Sequence, residues 1–251
     1  MTKDFILEQL NKTFKGKTSF SRESLLSFYR QFDPDLNDST FRWRLYQLKA
    51  KKIITPISQN LFTLTYKPDF KPETGAFERK IFIRVEKQFT GLKQCIWTTQ
   101  AVSEFMLHIP GKHITILQVE KEAMEPVFEF LKDQNLGKVY IQPEEKEIER
   151  YIFETEHSII LQSLISKAPT QKVGKVTTIT LEKMIVDLFS DKNLLIAFQG
   201  RELVHIINNA YQRYSINFTT LFHYARRRGK KIAIKGFLSE KTDIPKNIFN
   251  D

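Results

Sequence analysis

The residues from Asp4 to Leu64 most constrain what this chain can fold into, because they lay down three helical patterns and a short hairpin in quick succession. Phe5, Ile6, Leu10 and Phe14 recur at helical spacing over 4–14. Lys15-Gly16-Lys17 ends that helix, with Gly16 placed to take a left-handed C-cap. Ser19-Phe20 is a short extended link, and Ser21 is a suitable N-cap for a helix over 22–31. Asp33-Pro34-Asp35 makes a turn, and Asn37-Asp38 can cap a third helix over 39–52. Two extended runs follow, 53–56 and 61–64, with Ser58-Gln59-Asn60 at the tip between them. This is the element order of a winged helix-turn-helix.

The third helix carries the functional expectation. Phe41, Leu45 and Leu48 fall on one side, at the spacing of a core-facing stripe. Ser39, Trp43, Tyr46 and Gln47 fall on the other, with Arg42, Arg44 and Lys49 on the flanks and Thr40 at its start. In a major groove, such a face brings polar groups to base edges and cations to phosphates. An amphipathic helix with a solvated face would show the same apolar stripe. Lys51 and Lys52 reach phosphate in the first reading and merely complement the helix dipole in the second.

With 251 residues, the chain has length for two or three units. Hydrophobic residues make up 41% and aromatic residues 12%, as in globular proteins. No apolar run approaches the roughly 18–20 residues of a membrane span. The opening MTKDFILEQLNKTF is amphipathic and holds acids, unlike a secretory signal, so the expected location is cytoplasmic with no membrane partner. A single cysteine, Cys95, excludes a disulfide framework and any zinc site built on cysteines. Flanked by Ile96 and Trp97, it reads as a buried, inert thiol.

The net charge of +10 is unevenly spread. Residues 1–75 hold 13 Lys+Arg against 8 Asp+Glu, 76–170 hold 12 against 14, and 171–251 hold 14 against 7. Two basic ends around a slightly acidic middle suit two contact zones on a polyanion. The segment 67–76, KPDFKPETGA, reads as the linker between a winged-helix domain at 1–66 and a second domain at 77–251, with a subdivision near 170.

In the second domain the patterns predict strands over 81–85, 113–119 and 138–141, and helices over 100–107 and 122–133. The run 159–165 is ambiguous between strand and helix. Helices follow over 178–190, capped by Thr180, with Leu181, Ile185, Leu188 and Phe189 inward, and over 202–214, with Leu203, Val204, Ile207, Ala210 and Tyr211 inward. A last helix begins at the Asn217 cap, buries Phe218, Leu221, Phe222 and Ala225, and ends at Gly229. The whole is an α+β chain: an N-terminal winged helix and a mixed domain with a helical C-terminal part. The cluster Arg226, Arg227, Arg228, Lys230 and Lys231 exceeds what a helix dipole requires, and is expected to touch phosphate; an acidic protein partner is the competing reading.

No phosphate-loop or dinucleotide-binding glycine motif occurs, and the five histidines make no HExxH and no helical pair at metal spacing. No cofactor and no metal are expected. Glu104, with Glu120 followed by Lys121 at the end of an apolar strand, faintly resembles the acidic arrangement of metal-dependent nucleases, though the lysine spacing is wrong. The run 144–149 reads as a solvated helix face.

Several short stretches, taken in order, give the chain a resemblance to the AbiEi family of abortive-infection antitoxins. They are Trp97-Thr98-Thr99, Gln118-Val119-Glu120-Lys121, the helix Leu181-Glu182-Lys183-Met184-Ile185-Val186-Asp187-Leu188, Gln199-Gly200-Arg201-Glu202-Leu203 and Tyr224-Ala225-Arg226-Arg227. The resemblance implies a two-part, non-enzymatic protein that represses its own operon by binding inverted repeats and neutralises a nucleotidyltransferase-like toxin. It implies DNA contacts for Thr40, Arg42, Trp43, Arg44, Gln47 and the C-terminal arginines. Glu182 and Asp187 read as structural within an amphipathic helix. A metal-dependent nuclease with a winged-helix targeting domain and a binding module for structured RNA are the alternatives.

Overall fold

The computed structural model of the protein describes residues 3–143, 148 and 157–249. Apart from Ile148, the expected solvated face over 144–149 lies outside the described residues. The N-terminal body is α1 (Lys3–Phe14), β1 (Phe20–Ser21), α2 (Arg22–Arg30), α3 (Asp38–Ala50), β2 (Thr55–Pro56) and β3 (Leu61–Thr63). Its strands pair antiparallel in the order β1-β3-β2. The local signals act as their chemistry requires. Gly16 takes φ +79°, a conformation that costs a residue without Cβ little. The Ser21 hydroxyl accepts from the Ser24 amide at 3.0 Å, and the Asn37 side-chain oxygen accepts from the Thr40 amide at 2.8 Å. Leu10, Phe14, Leu25, Phe28, Phe41 and Phe62 close a core of their own. Each such side chain, fully buried, contributes roughly 1.5–3 kcal/mol.

The second body is built on a four-stranded sheet of β4 (Gln94–Thr98), β5 (Thr115–Val119), β6 (Lys138–Ile141) and β7 (Ser158–Ser163), in the order β4-β5-β7-β6. β4 runs antiparallel to β5, whereas β5, β7 and β6 are parallel. The side chains alternate across the sheet with a period of two. Ile96, Leu117, Val119, Ile159 and Leu161 face α4 (Ala76–Gln88) and α5 (Met124–Asp133). Cys95, Trp97, Ile116 and Ile160 face the opposite layer, α6 (Leu181–Ser190), α7 (Arg201–Arg213), α8 (Phe218–Arg227) and α9 (Lys231–Lys241). A hairpin of β8 (Thr170–Val173) and β9 (Val176–Ile179) precedes α6. The chain is an α+β protein, with both faces of the mixed sheet covered, as its near-continuous apolar strands require.

The structure corrects several sequence expectations. Residues 81–85, expected as a strand for their β-branched content, lie in α4. Ile81, Phe82 and Val85 are its buried face, at spacings of one and four that are helical and not alternate. A strand, β4, precedes the Thr98 cap, and the helix expected over 100–107 is a 3-10 turn, Thr99–Phe105. The ambiguous run is strand β7, and Gly229, at φ +66°, leads into a further helix, α9, where none was expected. Phe189, Val204, Tyr211 and Phe222 are only half-buried; Met184, Val186 and Ile206 are fully buried.

The two bodies are stitched together at the hairpin. Ile57 belongs to the larger core, that of α6–α9, and not to the N-terminal one. The Phe218 amide donates to the Ile57 carbonyl at 2.8 Å, and the Gln59 amide donates to the Thr219 hydroxyl at 2.8 Å. The first satisfies one of the amides a helix N-terminus leaves without an internal partner. The segment 67–75 has no regular structure, yet it is no free tether. Phe70 is buried in the larger core, the Pro68 carbonyl accepts from the Ser215 amide at 2.9 Å, and the Phe70 carbonyl accepts from the Gln171 side chain at 2.9 Å.

Candidate nucleic-acid interface

Residues of α3 divide as their spacing requires. Phe41, Leu45 and Leu48 are buried. Trp43 and Tyr46 are 58% and 65% exposed, neighbours on one face of the helix. Ser39 is exposed beside them, and Thr40 and Gln47 are half-exposed. Trp43, Gln47 and Lys51 border a shallow groove shared with Ile6 and Leu7 of α1.

The cations on this helix are not equivalent. Arg42 is mostly exposed, and its only charge partner among the described residues is Asp38, one turn away at 2.6 Å. Asp38 is shared with Arg22 at 2.7 Å, and the Arg22 hydrogen bond, foremost, holds its carboxyl below the usual range. Arg44 turns inward. It pairs with Asp33 at 2.8 Å and stacks over the Tyr29 ring at 5.2 Å, so it fastens α3 to α2 instead of facing solvent. Lys49 lies over the Phe62 ring at 5.0 Å, its pKa lowered first by that burial and then by Arg22. Lys51 is exposed; Lys52, at φ +55°, donates to the Tyr66 hydroxyl at 3.3 Å.

The C-terminal cluster separates in the same way. Arg226, Lys230 and Lys231 are exposed. The Arg227 guanidinium is hydrogen-bonded to the Ser166 hydroxyl. Arg228 is an internal residue: it pairs with Asp187 at 2.8 Å and also with Asp191. It therefore offers no free charge to phosphate, contrary to the sequence expectation.

Asp187 is the centre of a buried charge network that sequence reading left undetected. The carboxylate, 1% exposed, receives the Lys183 ammonium one turn earlier, the Tyr224 hydroxyl at 2.7 Å and Arg228. Lys183 is wholly buried. Burial alone would lower its pKa, but Asp187, Tyr224 and Cys95 outweigh it, and the pKa lies above the ordinary lysine value. Arg228 is likewise held charged by Asp187 and Asp191 against the effect of burial. Opposite charges at i, i+4 within a mostly apolar helix, Lys183 and Asp187, were the available signal. Glu182 accepts from the Asn217 amide at 2.9 Å and joins α6 to the start of α8. Both acids of this helix thus hold elements together.

The acids of the nuclease alternative are not brought together as ligands. Glu104 accepts from the Tyr214 hydroxyl at 2.8 Å, and Glu120 pairs with Lys93 at 3.5 Å. Among the described residues, no group of three or more His, Cys, Asp or Glu side chains is placed to hold a metal ion. No described helix is long and apolar enough to cross a membrane.

A model described as a family of unknown function, DUF6577, matches residues 40–244. No curated protein matches the sequence.

Proposed function

We propose a function for a chain that belongs to the DUF6577 family: it is a duplex-DNA-binding regulator that reads sequence with α3 and has no catalytic role. The observation that carries this reading is the outward face of α3, where exposed Trp43 and Tyr46 stand with Ser39 and Gln47 between the exposed cations Arg42 and Lys51. Gln47 can pair bidentately with an adenine edge, and Arg42 and Lys51 can anchor phosphates on the groove walls. The order of three helices and a hairpin, α1 to β3, supports docking as a winged helix-turn-helix. Arg226, Lys230 and Lys231 supply a second cationic zone at the far end of α8 from the docked hairpin. The resemblance to AbiEi-type antitoxins supports an operator of the chain's own operon as the target and a nucleotidyltransferase-like toxin as the activity it counters.

A gel-shift titration tests the reading. The duplex immediately upstream of the coding sequence is compared with a scrambled duplex at equal salt. A preference of about 10³ or more is expected, the lower end of specific over non-specific binding. Arg42→Ala should weaken binding to both duplexes and flatten the salt dependence, whereas Gln47→Ala should change the sequence preference. Equal affinity for the two duplexes, or an Arg42→Ala variant that binds as the parent does, overturns the assignment.

A further inference from the structure

A polar cleft of about 560 Å³ opens at the carboxyl ends of β5, β7 and β6, on the side of the sheet covered by α6 and α8. The period of two explains its chemistry. Going along β5 and β7, the positions facing α6–α9 are Ile116 then Gln118, and Ile160 then Gln162. Apolar residues therefore give way to amides where the strands end. Gln118 and Gln162 are register partners, and the Gln118 side-chain amide donates to the Gln162 carbonyl oxygen at 3.3 Å.

Gln118 is 2% exposed, and its own carbonyl oxygen has no partner among the described residues. The buried Ser190 hydroxyl at the end of α6, on the same cleft, is also without one. Folding disfavours such groups unless something else satisfies them. Gln142, just past β6, contributes a third amide from a left-handed backbone at φ +42°, a conformation that an ordinary side chain adopts only when its surroundings impose it. Ile165 and Leu194 give apolar walls, and the exposed Lys192 and Lys230 stand at the mouth. Arg228 stiffens one wall but is already neutralised by its two aspartates.

We propose that this cleft is a binding site for a mononucleotide. The bond between Gln118 and Gln162 leaves an acceptor, the Gln118 carbonyl oxygen, and a donor, the Gln162 amide nitrogen, on register partners, and Gln142, whose amide nitrogen meets the Met124 sulfur at 3.9 Å, adds a carbonyl oxygen; together they complement a nucleobase edge. The aliphatic walls suit a flat ring, and the two lysines suit its phosphate. The volume lies within the range of small-molecule sites, and the position is where open sheets with parallel strands bind ligands. The site does not depend on the DNA reading of α3.

Isothermal titration calorimetry on the full chain, without DNA, tests the proposal with AMP, GMP, CMP and UMP. Inorganic phosphate and the matching free nucleosides serve as controls. At least one nucleotide is expected to bind with Kd below about 1 mM, at least about tenfold tighter than its nucleoside and than phosphate. Lys192→Ala, an exposed change that spares the fold, should weaken that nucleotide by about fivefold or more without affecting the nucleoside. Gln162→Ala, checked for an unchanged melting temperature, should weaken nucleotide and nucleoside alike. The proposal is overturned if no nucleotide binds below about 1 mM, if phosphate binds as well as the best nucleotide, or if Lys192→Ala and Gln162→Ala both leave affinity unchanged.

Discussion

Asp187 shows how much one side chain can be asked to organise. It answers two cations and a hydroxyl from two helices, α6 and α8, in a setting that excludes water. Removing it strands Lys183 as a buried, uncompensated charge and leaves Arg228 to Asp191 alone. Asp187→Ala is expected to cost about 3–5 kcal/mol in urea denaturation, the range for breaking a buried pair from one side. The double change Lys183→Met with Asp187→Leu should cost less than Asp187→Ala alone, since it removes the charge together with its partner. Cys95, beneath the same network, is pushed up to about 12 by burial. A thiol reagent at pH 8 should leave it unmodified in the native chain and react at once in denaturant. A folded-state pKa above the unfolded one favours folding fully below the unfolded value, near 8.5, and that contribution is lost as pH rises towards 12. Stability should therefore fall through the alkaline range, and less so in Cys95→Ala once that variant's own packing loss at pH 7 is subtracted.

At the scale of elements, legibility followed how locally each one is determined. Caps and periodicity revealed α2, α3 and α6, because Ser21, Asn37 and Thr180 act on amides within three residues of themselves. The helix α4 was misread because Ile81, Ile83 and Val85 favour strands by propensity, and burial against the sheet overrides propensity. On α3, the apolar stripe and the exposed face were readable from spacing, but the division of labour among its arginines was not. Asp38, one turn earlier, pairs with Arg42, but the inward turn of Arg44 depends on Asp33 and Tyr29, which lie outside the helix. Arg44→Ala is accordingly expected to destabilise the chain by about 1 kcal/mol. Arg42→Ala should stay within about 0.5 kcal/mol of the parent in the same urea titration. The Arg228 placement was hidden for the same reason, its partners lying on α6 and just beyond.

For the molecule as a whole, the join between the bodies is the part least visible in sequence. A proline-rich segment reads as a tether, yet Phe70 fills the core and Pro68 is hydrogen-bonded to residue 215. Chymotrypsin should therefore leave the bond after Phe70 intact under native conditions; rapid cutting there would show that the segment detaches. The hairpin is equally bound. Thr219→Val removes the acceptor of the Gln59 amide, and exchange of that amide for deuterium should accelerate by about tenfold, the equivalent of one hydrogen bond. The contact joins residues separated by 160 positions in the chain. On a ribosome adding roughly 5–20 residues each second, a helical N-terminal body can assemble some 8–30 s before Thr219 is made. During that interval the hairpin has no seat, and the newborn N-terminal body exists without the orientation that α8 later imposes on it.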